Sequence, residues 1–298
     1  MPEPSFSISA VSTLDASLED DLEAYRAAGA DGIGIWELKL PAGEDDRSLE
    51  LVRESGLEVT NCVTLVPSIL PLPLIDGPVD PRERIEAICA SIRRLAPFSP
   101  RSIVCLTGPA LGRPEREARR IVVDGLRRIG REAKANGVRV GLEPFQRIGS
   151  EQWAIATSLR EAVDLVEEAA EPALGVTFDV WHLWNTETLH DDIREYAELI
   201  SAVHVNDWRE PTRGWADRVL PGEGVAGVSE ILASLEAAGW SGPYDLEVFS
   251  DNGAFGNAYD DSLWDVPPAE LARRGREAFL ECWQARRAVD LPSPGGVR

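Results

Sequence analysis

Eight strand-like runs alternating with helix-like runs along 298 residues predict a single closed (β/α)8 barrel of the α/β class. Two further observations favour closure over an open, doubly wound sheet. The first strand runs into Ser12-Thr13-Leu14-Asp15 in place of a glycine-rich phosphate turn. The alternation also continues without a linker or a shift in composition that would mark a second domain. The barrel is expected to occupy residues 1–289, followed by a Pro- and Gly-rich flexible tail over 290–298.

The expected strands, in order, are Phe6 to Ser12, Gly32 to Glu37, Leu57 to Thr64, Ser102 to Thr107, Val138 to Glu143, Leu174 to Asp179, Ala202 to Asn206 and Tyr244 to Phe249. Between them lie segments whose apolar residues recur near every 3.6 positions, such as Ser17 to Ala28 and Pro81 to Leu95. Ser17 with Asp20 three positions later forms an approximate capping box, and Gly29 stops that helix. Pro114 suits the first turn of a helix that Gly137 ends. The stretch Leu65 to Pro81 holds Pro67, Pro71, Pro73 and Pro78. It is too broken for regular structure and is expected to form a lid or pocket wall.

Composition excludes several classes of function. With 51 Asp and Glu against 30 Lys and Arg, a formal charge of −21 repels nucleic-acid backbones and anionic membranes. No apolar run reaches the roughly 18 residues needed to span a bilayer, and no secretory signal is visible at the N-terminus. Cys62, Cys89, Cys105 and Cys282 lack metal-like spacing and read as reduced thiols of a cytoplasmic protein. Lys39 and Lys134 are the only lysines, the first just past a strand and the second within a helix, which argues against Schiff-base chemistry.

Pleat alternation singles out four residues. In Val138 to Glu143 the apolar Val138, Val140 and Leu142 share the face that suits the outer helices, so Glu143 points inward. The same test points Asp179, His204 and Glu247 inward on the next three strands. Neighbouring parallel strands lie roughly 4.8 Å apart, so these strand-end groups converge at the mouth where barrel sites form. Three carboxylates held together would repel and pay a large desolvation cost unless a cation neutralises them. An oxygen-rich set with one imidazole suits one Mn²⁺ or Mg²⁺ ion first, with Co²⁺ or Zn²⁺ as alternatives.

The motifs Gly141-Leu142-Glu143-Pro144, Phe178-Asp179-Val180-Trp181-His182, Val203-His204-Val205-Asn206-Asp207 and Asp245-Leu246-Glu247 resemble those of the xylose isomerase-like TIM barrels. That group is known as sugar phosphate isomerases and epimerases; its members include ketose 3-epimerases, hydroxypyruvate isomerase and inosose dehydratase. The resemblance spans the barrel from the second strand to the last helix. It implies that Glu143, Asp179, His204 and Glu247 bind the metal and that His182 touches the substrate. It also implies a substrate-binding Arg shortly after the His ligand, for which Arg209 and Arg213 are both candidates. A phosphodiester-cleaving endonuclease shares this barrel by resemblance, but three His and the acidic charge do not suit a multi-zinc cluster in a basic cradle.

Glu143 and Glu247 stand at the two ends of the four-strand arc and can address opposite faces of a bound ligand, one as base and one as acid. The expected function is a metal-dependent isomerase or epimerase of a small sugar or keto-polyol. It would act by proton abstraction beside a carbonyl through a metal-stabilised enediolate, in carbohydrate metabolism. The alternative is a lyase or dehydratase of a keto-inositol or related keto-polyol. A non-catalytic sugar-binding or partner subunit is the third option. Trp36 and Glu37, at the end of the second strand, are further candidates for contact with substrate. Leu220-Pro221-Gly222-Glu223-Gly224 could be taken for a phosphate loop, but Glu223 and Asp251 oppose an anion, which favours an unphosphorylated ligand. The sequence is compatible with a homo-oligomer.

Overall fold

Eight parallel strands close on themselves because each βα unit returns the chain to the same edge of a growing, twisted sheet. The computed structural model of the chain describes residues 3–147 and 150–289, so the tail expected over 290–298 lies outside the described residues. Seven barrel strands come first: β1 (Phe6–Ser9), β2 (Gly32–Trp36), β3 (Glu58–Ser68), β4 (Ser102–Leu106), β5 (Val140–Glu143), β6 (Leu174–Asp179) and β7 (Ile200–Val205). A small antiparallel pair, β8 (Asp207–Trp208) and β9 (Arg218–Val219), precedes the last barrel strand, β10 (Tyr244–Leu246). Around the barrel the strand order is β1-β10-β7-β6-β5-β4-β3-β2.

All eight expected strands are present, with ends that move by a few residues. The largest difference is β3, which continues to Ser68 instead of ending near Thr64. A register shift between Val63 and Ser68 lets it absorb Pro67, and Ser68 then pairs with Leu106. In the remainder of the expected wall segment Leu72 and Ile75 meet Leu106, Phe145 and Trp153, whereas Leu74 and Val79 are exposed.

The outer layer follows the apolar periodicity. Helix α1 (Leu18–Ala27) carries the Ser17–Asp20 capping box, and Gly29 leaves it at φ +78°. Helices α2 (Asp45–Ser55), α3 (Pro81–Leu95) and α4 (Glu115–Ala135) follow β2, β3 and β4. Pro114 is the N-cap of α4 and not its first residue. The short α5 (Ser150–Trp153) and α6 (Leu159–Ala169) follow β5; α7 (Val180–Leu183) and α8 (Leu189–Tyr196) follow β6. Helices α9 (Val228–Ala237) and α10 (Pro268–Ala285) complete the ring. Outward residues such as Val140, Leu142, Val176, Phe178, Val203 and Leu246 join the helices in one core. None of the described helices is long and apolar enough to cross a membrane.

The inside of the barrel is different in kind. Branched aliphatics usually fill such interiors, but here the buried inward groups beneath the mouth include Ser7, Thr60, Asn61, Ser102, Thr177 and Ser201. The Asp245 carboxylate, in register with His204, accepts hydrogen bonds from Ser7, Thr60 and Asn61. These hydrogen bonds stabilise the polar floor, although Asn61 Oδ1 and Thr177 Oγ1 are buried without a partner. Lys39 is equally committed: its Nζ donates to Thr13 O at 2.7 Å, Ala16 O at 2.8 Å and Asp21 Oδ2 at 2.8 Å. That buried pair ties the turns after β1 and β2 together, and Lys134 lies exposed on α4. Neither lysine is placed for Schiff-base chemistry.

Gly141 shows how tightly this interior is specified. A Cβ there would stand 2.3 Å from Thr177 Oγ1 and 2.6 Å from Ser201 Oγ. Gly141→Ala is therefore expected to destabilise the protein by about 1–3 kcal/mol through overpacking. The check is a lowered midpoint in urea unfolding with an unchanged slope; an unchanged midpoint would contradict this packing.

Candidate metal centre

The four inward residues meet at the C-terminal mouth. Adjacent strands β5, β6, β7 and β10 deliver Glu143, Asp179, His204 and Glu247, with Asp179 and His204 in direct register. One ligand atom from each lies within 4.8 Å of every other, and all four residues are buried. His204 Nδ1 sits between the two glutamates, 3.2 Å from Glu143 Oε1 and 3.2 Å from Glu247 Oε2, with Asp179 Oδ2 at 3.8 Å. Glu143 and Glu247 thus flank the cluster.

The electrostatics of the cluster describe a missing positive charge. Burial pushes the Glu143 carboxyl up to about 7; His204 works against the shift, while Glu247 and Asp179 add to it. Burial alone would depress the His204 imidazole, but the pull of Glu247, joined by Asp179 and Glu143, outweighs it and holds the ring well above its usual value. Both shifts favour the protonated form where no cation is bound. Glu143 Oε1 and both ring nitrogens of His204 are buried without a well-formed hydrogen bond. Three carboxylates and an imidazole at this spacing fit a divalent ion that displaces those protons.

Arg218 is the residue that reasoning from sequence overlooked. It is 2% exposed, and its Nη1 donates to Asp179 Oδ2 at 2.8 Å and to Glu247 Oε2 at 3.2 Å. Its guanidinium lies 4.7 Å from the centre of the Phe249 ring. Burial opposes ionisation of Asp179, but the charge of Arg218 leads the terms that outweigh it and keep this carboxyl well below the usual range. Asn206 Nδ2 and Trp181 N also donate to Asp179 Oδ1, at 3.0 and 2.7 Å, so its orientation is fixed.

The two arginines expected to meet substrate occupy other places. Arg209 and Arg213 both bind Asp217 and Asp261, forming one ion cluster in the loop before β9. That cluster frames the hairpin that carries Arg218 inward. The signal in the sequence was the alternation Arg218-Val219-Leu220 before Pro221-Gly222, a short strand hidden behind two nearer arginines.

His182 lies inside the site, with Nε2 3.8 Å from Asp179 Oδ2 and 3.3 Å from Arg218 Nη2. Its Nδ1 accepts from Gln146 N at 3.2 Å. Burial, only partly offset by Asp179, lowers the ring to about 3, so it is neutral at physiological pH. Trp36 Nε1 donates to Ser9 Oγ at 2.9 Å, and Ser9 in turn donates to Glu247 Oε1 at 3.3 Å. The Glu37 carboxylate accepts from Leu65 N at 2.9 Å and from Arg94 at 3.2 Å, bracing β3 and α3. Trp181 and Trp184 each pack at a tilt against Trp208, and Trp215 packs against Trp153.

Comparison with known proteins bears on the barrel as a whole. The family model described as the xylose isomerase-like TIM barrel matches residues 22–282. A 3-dehydroshikimate dehydratase of Pseudomonas putida is 28% identical over 266 residues, covering 82% of this chain and 38% of the dehydratase. The chain thus spans well under half the length of that relative. An inosose isomerase of Halalkalibacterium halodurans is 30% identical over 138 residues, covering 45% of this chain and 47% of the isomerase. A solved structure of a Sinorhizobium meliloti protein superposes with a TM-score of 0.81 at 25% identity, covering 93% of this chain and 98% of the other.

Because a metal ion must displace protons held on Glu143 and His204, its binding is expected to release protons and to weaken on acidification. Apparent affinity should fall about tenfold or more per pH unit below about 7. Calorimetric titration with Mn²⁺ in buffers of different ionisation enthalpy checks this; pH-independent affinity without proton release would contradict it.

Proposed function

Because the chain belongs to the xylose isomerase-like TIM barrel family, we propose that it is a divalent-metal-dependent isomerase or epimerase of a small, unphosphorylated keto-polyol. The observation that carries this reading is the placement of Glu143 and Glu247 on either side of His204, each with a carboxylate oxygen 3.2 Å from it. Two carboxylates at opposite ends of one ligand set are what proton removal and proton return require.

Mn²⁺ or Mg²⁺, bound by Glu143, Asp179, His204 and Glu247, would polarise the substrate carbonyl and offset the negative charge that develops on its oxygen. Glu143 Oε1, which lacks a hydrogen-bond donor, would face the ion, and the second oxygen of the same carboxylate would take the proton from the carbon beside the carbonyl. Glu247 is held by Ser9 and Arg218, which orient it for returning a proton from the other side. Arg218 supplies a fixed positive charge against Asp179 and Glu247 that needs no reorganisation during the reaction. His182, neutral and buried, is suited to a hydrogen bond with a substrate hydroxyl. The arginines of the loop before β9 are committed to carboxylates, which favours a ligand without phosphate.

A dehydratase shares the first proton abstraction and differs only in losing a β-hydroxyl afterwards. The dehydratase relative, aligned over 82% of this chain, favours that alternative. We place the protein in the cytoplasm, since all four cysteines are buried and free.

Incubating the metal-loaded protein in D₂O with open-chain ketoses and cyclic keto-polyols tests the proposal. Deuterium at carbon in a re-formed or isomeric sugar supports isomerisation, and a new enone supports dehydration. Neither product with any member of the panel would overturn the assignment. Glu143→Gln and Glu247→Gln are each expected to lower turnover at least about 100-fold while retaining bound metal; exchange at the wild-type rate in both would refute their roles.

A further inference from the structure

We propose that Asp217 is a positioning residue for the metal centre: by tying together the two loops beside Glu247 it fixes the Arg218 guanidinium, and through Arg218 the carboxylates of Asp179 and Glu247. The proposal rests on the metal reading given above and not on the reaction assigned to it.

Arg218 has little strand to hold it. Strand β9 has two residues, and its partner β8 pairs Asp207 with Val219 and Trp208 with Arg218. On its other side the segment 216–218 runs beside residues 249–251, just past Glu247. There Arg218 N donates to Phe249 O at 2.8 Å, Asp251 N donates to Ala216 O at 2.9 Å, and Asp217 forms an isolated antiparallel bridge with Ser250. Extended backbone sends neighbouring side chains to opposite faces, so Arg218 turns to the ligands only while Asp217 turns away from them. Whatever fixes Asp217 therefore fixes Arg218.

Asp217 is 0% exposed and is held on both carboxylate oxygens. Arg213 donates to Oδ2 from its backbone N at 2.8 Å and from Nε at 2.9 Å, and its Nη2 donates to Oδ1, while Arg209 Nε lies 2.9 Å from Oδ1. The same two arginines reach Asp261 in the loop after β10, Arg213 Nη1 at 2.8 Å and Arg209 Nη2 at 2.9 Å. Two cations and two anions thus close a ring across the two loops. The Arg213 guanidinium also lies 4.0 Å from the centre of the Tyr259 ring in the second loop. A carboxylate this deeply buried is costly without its cations, and here the cations hold both loops. The ring contains none of the four ligands, so its effect on the centre passes through Arg218.

Asp217→Asn keeps the volume, removes the charge and sets an amide N–H against guanidinium donors. Crystals of that variant grown without metal are expected to show the Arg218 guanidinium away from Asp179 Oδ2 and Glu247 Oε2; a guanidinium still on both would overturn the proposal. In solution, Asp217→Asn and Arg218→Gln are each expected to shift Mn²⁺ affinity about tenfold in the same direction, and the double variant to shift it no further than Arg218→Gln alone. A role confined to folding would lower the midpoint of urea unfolding, leave Mn²⁺ affinity at the wild-type value, or add its effect in full in the double variant. Wild-type affinity in Asp217→Asn, or additive shifts, would each overturn the proposal. Should Asp217→Asn not fold, the half-exposed Arg213→Gln removes the main partner of Asp217 and carries the same expectations. Absence of Mn²⁺ binding to the wild-type protein would remove the metal reading, and the place of Arg218 in the variant would then decide alone.

Discussion

Three buried carboxylates pointing at one imidazole impose the constraint on which the rest of the site depends. At the separations seen around His204 Nδ1, Glu143, Asp179 and Glu247 cannot all be ionised without a compensating cation. Arg218 supplies one positive charge from the flank, at 2.8 Å from Asp179 and 3.2 Å from Glu247, and the upward shifts of Glu143 and His204 mark where more positive charge is favoured. A divalent ion bound there would displace protons from these groups. The architecture therefore separates two tasks: Arg218 fixes the geometry of two ligands, and the central position takes the exchangeable charge.

Everything beneath the mouth serves to hold that cluster in place. The four clustered residues lie at or just past the ends of adjacent strands of a closed sheet, so their spacing is set by backbone hydrogen bonding and not by flexible loops. The polar floor of Ser7, Thr60 and Asn61 holds the Asp245 carboxylate beneath the charged layer. Gly141 is the clearest sign of how this floor constrains sequence, because its missing side chain leaves space that Thr177 and Ser201 fill.

Much of this was legible in the sequence because parallel strands buried on both faces have a strict two-residue period. Val140 and Leu142 outward force Glu143 inward, and the same holds for Asp179 between Phe178 and Val180. Where the period failed, so did legibility. Strand β3 passes through a register shift that hides its last residues, and Arg218 lies on a two-residue strand behind a loop containing Arg209 and Arg213. Which side chains a loop turns towards the site depends on ion clusters such as Asp217 with Arg209 and Arg213, which no local pattern records. The aromatic contacts that link residues 36, 145, 153, 215, 249 and 255 join positions far apart in the chain, which no local pattern records.

The central claim is that one divalent ion sits between these four side chains. Anomalous diffraction from crystals of the full chain grown with Mn²⁺ tests it most directly. The structure predicts one strong peak per chain within bonding distance of Glu143, Asp179, His204 and Glu247, with Arg218 still bound to Asp179 and Glu247. A crystal in excess Mn²⁺ with no peak there, and with His204 still between the two glutamates, would contradict it.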